Sequence, residues 1–419
     1  MIAFVAAVGC ALGAATEYPP APRVLIVAAP AAGSPASAAA EDGSEEHPFS
    51  TIQAAVDVSS PGDTVRVKKG VYHNAGFGTS ETNGPAVLID KGGSADGRSL
   101  TLLGEPGVVI EYDGSGGILA AKDVSYVTIR NFTVKGPAAA ISESSARQHR
   151  LDNPALSKYN GHGIAFPGPS HHIDVLNNVV MDACGSGIRV NKGDYISIQG
   201  NRVSNSTGCT ASASSALVVA EATNVDDSDA VKISIVGNTV FDNRNRLPFF
   251  APNGFPPGAK PPFESYGKAE STYIIDGSGI YLTRNSEFYA HGRFLVADNV
   301  AYGNGINGLV VHLTDRVSVK SNTIANNGTV PVTASRQKVS GLVINHSQDV
   351  EIVNNRIQVN VPGDAAIRFF GDVSGISASG NQFAGGPSDL KVGASRVSDI
   401  GFHGGEGSGP AWRKPGLTP

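Results

Sequence analysis

The sequence predicts an all-β fold, a single-stranded right-handed parallel β-helix over residues 47–403 with a short capping helix at its N-terminal end. Three observations predict it. Alternating apolar residues closed by Asn recur along the chain, a Gly-led or Ala-led apolar strand accompanies each copy, and the composition favours short strands and tight turns. Gly accounts for 51 of 419 residues, charged residues for 16% and aromatics for 7%, which argues against a protein of amphipathic helices.

The repeat reads IDVLNN (173–178), ISIQGN (196–201), ISIVGN (233–238), FLVADN (294–299), VSVKSN (317–322), VEIVNN (350–355) and ISASGN (376–381). Its terminal Asn residues are separated by 23, 37, 61, 23, 33 and 26 positions, so the basic unit is about 23 residues and three units carry insertions. The accompanying strands are GIAF from Gly163, GIRV from Gly187, ALVV from Ala216, GIYL from Gly279, GLVV from Gly308, GLVI from Gly341 and AIRF from Ala366. Two or three short strands make one coil. A lone coil cannot bury its apolar face, but coils stacked at about 4.8 Å pair every backbone group with a neighbour and align Ile188, Val190 and their equivalents inside. The corner Asn is expected to form a ladder, its amide bonding the next coil's turn. A β-sandwich would not place Asn at one offset seven times, and a leucine-rich repeat would need Leu where Gly, Ile or Val, and Asn stand.

At the N-terminal end, Ile2–Ala15 is too short to span a bilayer and ends in small residues, as a secretory signal does. No Lys or Arg follows Met1, and lipid attachment at Cys10 is the alternative. The expected organisation is a signal segment (1–16), a flexible linker (17–46), the β-helix (47–403) and a disordered Gly- and Pro-rich tail (404–419), in a secreted, periplasmic or cell-surface protein with no transmembrane segment. Ser50 or Thr51 caps a short helix with Ile52, Ala55 and Val56 on one face, covering the first coil. Net charge is −5, but the acidic excess lies mostly before the repeats. With no basic run or stripe, nucleic acid is not expected as a partner. Cys184 and Cys209 stand 25 residues apart, close to one coil, which allows either a disulfide between adjacent coils or two buried thiols.

Insertions in a solenoid map to loops, and three break the rhythm: 135–161, 221–230 and 243–272. Alternation along GIRV turns Ile188 and Val190 inward and Arg189 and Asn191 outward. In register, the Arg189 column continues through Val218, Tyr281, Val310, Val343 and Arg368, and the Asn191 column through Ala220, Thr283, His312 and Asn345. One step on stand Lys192, Glu221 and Arg284. A row of cations on stacked coils suits an acidic polysaccharide lying across them, and equally a solvated charge ladder of little net stability. Asp226 and Asp227 suit oxygen ligation of Ca²⁺, an acid–base pair, or plain solvation. Asp276, after the longest loop, is either a turn residue before Gly277 or a partner for Arg189, Tyr281 or Arg284. Arg244 and Lys268, on that insertion, are candidates for substrate contact together with Asn191 and Asn345, and His312 is preferred over His162 as a site histidine.

HPFSTIQAAVD (47–57), PGDTVRVKKGVY (61–72), the GI strands and the Asn corner together resemble the pectate-lyase-like superfamily of right-handed β-helix proteins across nearly the whole chain. The GxVDFIFG of pectin methylesterases, the Asn-Thr-Asp of polygalacturonases, the Asp-Pro-His of alginate epimerases and the WIDH of classical pectate lyases are absent. Gly161-His162-Gly163 reads as a strand opening. What remains is similar to the broad group of right-handed β-helix repeat proteins or to the chondroitinase B and alginate lyase branch, whose chemistry implies cleavage of a uronate polysaccharide by β-elimination. That resemblance implies Lys192 as base, Arg189 or Arg284 as assisting cation, and Glu221 with Asp226 or Asp227 as Ca²⁺ ligands; Tyr281, His312 and Asp276 join the candidates from register and position alone. A glycoside hydrolase using Asp pairs and a non-catalytic polysaccharide-binding or structural β-helix are the alternatives.

Overall fold

The structure is a computed structural model and describes residues 21–30, 41–73, 84–149, 158–249, 273–331, 340–359, 365–384, 390–392 and 400–403. The expected signal segment and tail lie outside these residues, as does Lys268. Each coil contributes three strands, and like strands of successive coils pair in parallel to give sheets of 12, 10 and 10 strands among the described residues. In one coil the chain runs Gly193–Gln199 in the first sheet, Arg202–Ser204 in the second and Leu217–Ala220 in the third, and then enters Val231–Val236 of the next coil. The fold is the expected one, with three strands per coil.

Inside, Ile and Val columns fill one continuous core. Ile164, Ile188, Leu217, Ile280, Leu309, Leu342 and Ile367 align from the third sheet, all fully or almost fully buried. The recurring Gly of the GI strands follows from this packing. A Cβ at Gly187 would stand 2.2 Å from Val203 Cγ1, and one at Gly163 2.3 Å from Val180 Cγ1, so the next coil's Val leaves no room for a side chain.

The Asn ladder is continuous from Asn178 through Asn201, Asn238, Asn299, Asn322 and Asn355 to Asn381. At each step the Asn backbone N–H and Nδ2 donate to the next Oδ1 at 2.9–3.1 Å. Each Nδ2 also donates to a strand carbonyl one coil back, as Asn238 does to Ile198 at 2.9 Å. Amide donors and acceptors are thereby satisfied at a corner where water is excluded. A second ladder, Asn243, Asn304 and Asn327, stands five residues after three of these and was not anticipated.

The N-terminal helix is Ile52–Val58, with the Thr51 side chain accepting from Ala54 N at 3.1 Å and Ile52, Ala55 and Val56 buried. One expectation is corrected. Residues 24–27, assigned to a linker, form the strand Val24–Val27 that opens the 12-stranded sheet and pairs with Thr64–Val67. Its four apolar residues precede the first Asn corner, so the repeat did not reveal them, but Leu25 and Val27 complete the end of the core. Arg23 then closes an ion pair of 2.6 Å onto Asp63, itself 2% exposed.

Cys184 and Cys209 form a disulfide with Cα atoms 4.8 Å apart. They lie in successive turns entering the third sheet and pack with Ala138, Ala146, Ala211 and Leu247 in a small separate core. In sequence the insertions 135–161 and 243–272 precede strands of the third sheet, with 150–157 and 250–272 outside the described residues, whereas 221–230 follows one.

Candidate functional site

The outward face of the third sheet carries the predicted columns in the predicted register. Arg189 pairs with Val218, Val218 with Tyr281 and Tyr281 with Val310; Asn191 pairs with Ala220, Ala220 with Thr283, Thr283 with His312 and His312 with Asn345. Val218, Val310 and Val343 are buried although they face outward, and Arg189, Tyr281, His312 and Asn345 are half-buried. The polar stretch is therefore set among covered apolar residues rather than on an open charged face.

At its centre is Asp276, 7% exposed. Gly277 takes φ +99 to turn the chain, as an Asp-Gly turn does, but the Asp276 carboxyl is not released to solvent. Burial pushes it up to about 7, against the opposing pull of Arg189. Burial first, and then the Arg284 charge, draw the Arg189 guanidinium down, while Asp276 and Glu221 draw it up. Its Nε donates to Asn191 Oδ1 at 3.1 Å. Tyr281 is pushed well above its ordinary value by burial and by the Asp276 charge, so its phenol stays protonated through the neutral range.

His312 stacks on Tyr281 with ring centroids 6.1 Å apart, and its Nδ1 lies 2.9 Å from Thr283 Oγ1 and 3.4 Å from the Tyr281 hydroxyl. Burial, then His346 and Arg284, lower it to about 4, so it is neutral at pH 7. His162, which was set aside, belongs to the same cluster. Its Nδ1 accepts from Ser186 N at 2.9 Å, which leaves the proton on Nε2, and burial followed by Arg189 lowers it to about 3. Strand alternation gives no signal for a residue at a strand opening.

Lys192, Glu221 and Arg284 do form a column, each in the left-handed region at φ 54, 55 and 55. Glu221 and Arg284 are bound to each other at 2.7 Å. Lys192 is exposed and has no ion-pair partner among the described residues. It therefore lacks the burial that makes a lysine a base, and this corrects its assignment to that role. Arg244 is exposed beside Asp276, its Cα 3.1 Å from where a Cβ on Gly277 would stand.

The calcium set is not brought together. Glu221 is engaged by Arg284, and Asp226 accepts from Tyr195 at 2.7 Å and from Lys232 at 3.0 Å. Asp227 is 91% exposed and 3.7 Å from His291. No group of three His, Cys, Asp or Glu among the described residues is arranged to hold a metal ion. Glu221 and Asp226 do not fit a shared Ca²⁺ site, because Arg284, Lys232 and the Tyr195 phenol already engage their oxygens. A separate cleft of about 470 Å³, lined by His73, Glu111, Asp113 and Lys135, lies on the second sheet's side, away from these residues.

These features define a β-helix bearing a titratable cluster on one sheet, and the sequence places it in a family. The model for the right handed beta helix region matches residues 116–383, and the chain belongs to that family. Comparison with curated proteins returns no match. Solved structures similar to the chain include pectate lyase Pel9A (11% identity, TM-score 0.44, covering 93% of this chain and 82% of that one). The GH136 lacto-N-biosidase from Eubacterium ramulus is similar at 12% identity and TM-score 0.46, covering 91% and 68%. The alginate lyase from Paenibacillus sp. str. FPU-7 is similar at 14% identity and TM-score 0.44, covering 82% and 96%. At such values the family assignment rests on the sequence match.

Proposed function

We propose that the protein is a carbohydrate-active β-helix that cleaves an acidic, uronate-containing polysaccharide by β-elimination on the third sheet. The observation that carries this reading is the buried Asp276 carboxyl, 7% exposed and under the charge of Arg189, where burial pushes it up to about 7. A uronate carboxylate must be neutralised before the proton on the adjacent carbon is acidic enough to remove. Arg189 serves this, with Lys192 and Arg284 steering the chain from the exposed corner. Asp276, half-ionised near pH 7, takes the C5 proton; the C4–C5 double bond forms as the C4–O bond breaks. Tyr281 gives its proton to the departing oxygen and is reprotonated from solvent. Thr283 and neutral His312 fix the phenol's surroundings through the contacts at His312 Nδ1.

A carboxyl raised to about 7 also suits a glycosidase acid, with Glu221 as the second carboxylate, and this is the second reading. Asp226 and Asp227 have no part in it, being turned to Tyr195, Lys232 and His291. Export is supported by the disulfide, which persists in oxidising compartments. No helix among the described residues is long and apolar enough to cross a membrane.

The test is a screen of the purified protein on alginate, pectate, glucuronan and glycosaminoglycans, reading unsaturated-product absorbance and reducing ends together. Elimination raises both. Reducing ends alone select hydrolysis, and silence in both sinks both enzymatic readings in favour of a binding or structural role.

A further inference from the structure

Two turns leave the third sheet at the bound pair of the site, 221–230 at Glu221 and 284–292 at Arg284, and both converge on one carboxylate in the first sheet. Asp194, 1% exposed, receives Val225 N at 2.8 Å and Lys232 Nζ at 2.9 Å on Oδ2, and Tyr289 Oη at 2.7 Å and Tyr195 N at 3.0 Å on Oδ1. The donors come from two successive coils and the turns that follow their third strands. From Asp194 outward the turns are tied further. Asp226 accepts from Tyr195 and Lys232, Asn224 and His291 exchange two hydrogen bonds, and Arg316 donates to Gly292 O at 2.9 Å. Near the site, Ala222 N donates to Asn285 Oδ1 at 2.8 Å and Thr223 Oγ1 to Lys192 O at 3.1 Å.

The chemistry of this hub is more than stability requires. The Asp194 and Lys232 side chains are both wholly excluded from solvent. Such a pair loses much of its mutual attraction to desolvation, and an apolar pair of similar size often serves stability as well. Geometry is what a carboxylate with four directed donors adds, because each donor must meet a lone pair at a set angle. Lys232 is held charged here: burial lowers it, but the hydrogen bonds it donates to Asp194 and Asp226, with their charges, raise it by more.

We propose that Asp194 is a positioning residue, acting through the two turns to hold the Glu221–Arg284 pair at the edge of the third sheet's outward face. The inference rests on the elimination reading for its effect on activity, and on the hydrogen bonds alone for its effect on the turns. Exposed, the 2.7 Å pair would drift among rotamers; pinned at both of its turns, it presents one arrangement to a polymer.

The test compares wild type with Asp194→Asn and with the double variant Asp194→Leu/Lys232→Met, all below their unfolding transitions. In Asp194→Asn, amide exchange across 221–229 and 284–292 should accelerate about tenfold or more while the corner amides of Asn238 and Asn299 keep their protection. On a cleaved uronate polymer, kcat/KM should fall about tenfold with the folded fraction unchanged. The double variant should recover melting temperature but neither turn protection nor kcat/KM, since apolar packing replaces burial and not direction. Unchanged exchange in the two turns of Asp194→Asn overturns the proposal whatever the activity, as does acceleration spread evenly over all coils or full activity in the double variant. A wild-type chain silent on every polymer sinks the elimination reading instead, and turn exchange then decides the role of Asp194.

Discussion

Asp276 and His312 are moved in opposite senses by the same cause, exclusion from water, because burial disfavours whichever form is charged. A carboxyl raised to about 7 makes the ascending limb of a pH–rate profile fall near neutrality if Asp276 is the base. Asp276→Asn should lower the rate by about 100-fold or more and remove that limb, with the fold intact; an unchanged profile would exclude it from catalysis. The corner amides make a different prediction. Asn238→Ala or Asn322→Ala leaves a buried backbone N–H and a strand carbonyl unpaired and should cost roughly 1–3 kcal/mol, whereas exposed Gln199→Ala should cost under about 0.5 kcal/mol. Denaturant midpoints measure the contrast. The outward register of Arg189, Asn191, Tyr281 and His312 on the third sheet was legible since alternation fixes which way a strand residue points. Asp276 was legible only as one of two options, and His162 was passed over, because turns and strand openings escape alternation.

At the scale of elements, the Gly of each GI strand records a distance between coils. Gly187→Ala must displace Val203, 2.2 Å from the new Cβ, and the clash should be relieved in Gly187→Ala/Val203→Ala. A double-mutant cycle should therefore give a coupling of about 1 kcal/mol or more, and additivity would show that the contact is not what selects Gly. The turns entering the third sheet are joined by Cys184–Cys209, with the Arg246 Nε donating to Gly208 O at 2.8 Å across them. Replacing both cysteines by Ala should cost about 2–4 kcal/mol by the chain-entropy account, read as a fall in denaturant midpoint. The repeat spacing of the two cysteines made this bridge geometrically admissible, and only the stacking of the turns decided it. Strand Val24–Val27 was missed for a related reason: an isolated apolar run has no period, and its role depends on the pairing partner Thr64–Val67.

For the whole molecule, pH couples the buried cluster to stability. His162 and His312, lowered to about 3 and about 4, bind fewer protons folded than unfolded, so their contribution is present above their ordinary value and lost as pH falls toward those values. Asp276, raised to about 7, acts in the opposite sense, its contribution being present at low pH and lost as pH rises through 7. Two groups outweigh one between about pH 4 and 6.5, so melting temperature should climb over that range and decline slightly toward pH 8. Asp276→Asn should remove the decline, and His312→Gln should flatten the climb; melts across pH 4.5–8 check both. The sequence by itself determined the solenoid, its corner ladder and the register of its outward columns, because these repeat and a repeated residue meets its own copy one coil away. Tertiary structure decided which of the outward polar groups are withheld from water, that Lys192 is exposed while Asp276 is buried, and that Glu221 and Asp226 are already bound to cations. Those outcomes depend on contacts made by residues outside the repeat, and such contacts are set by the coils around them rather than by a period of their own.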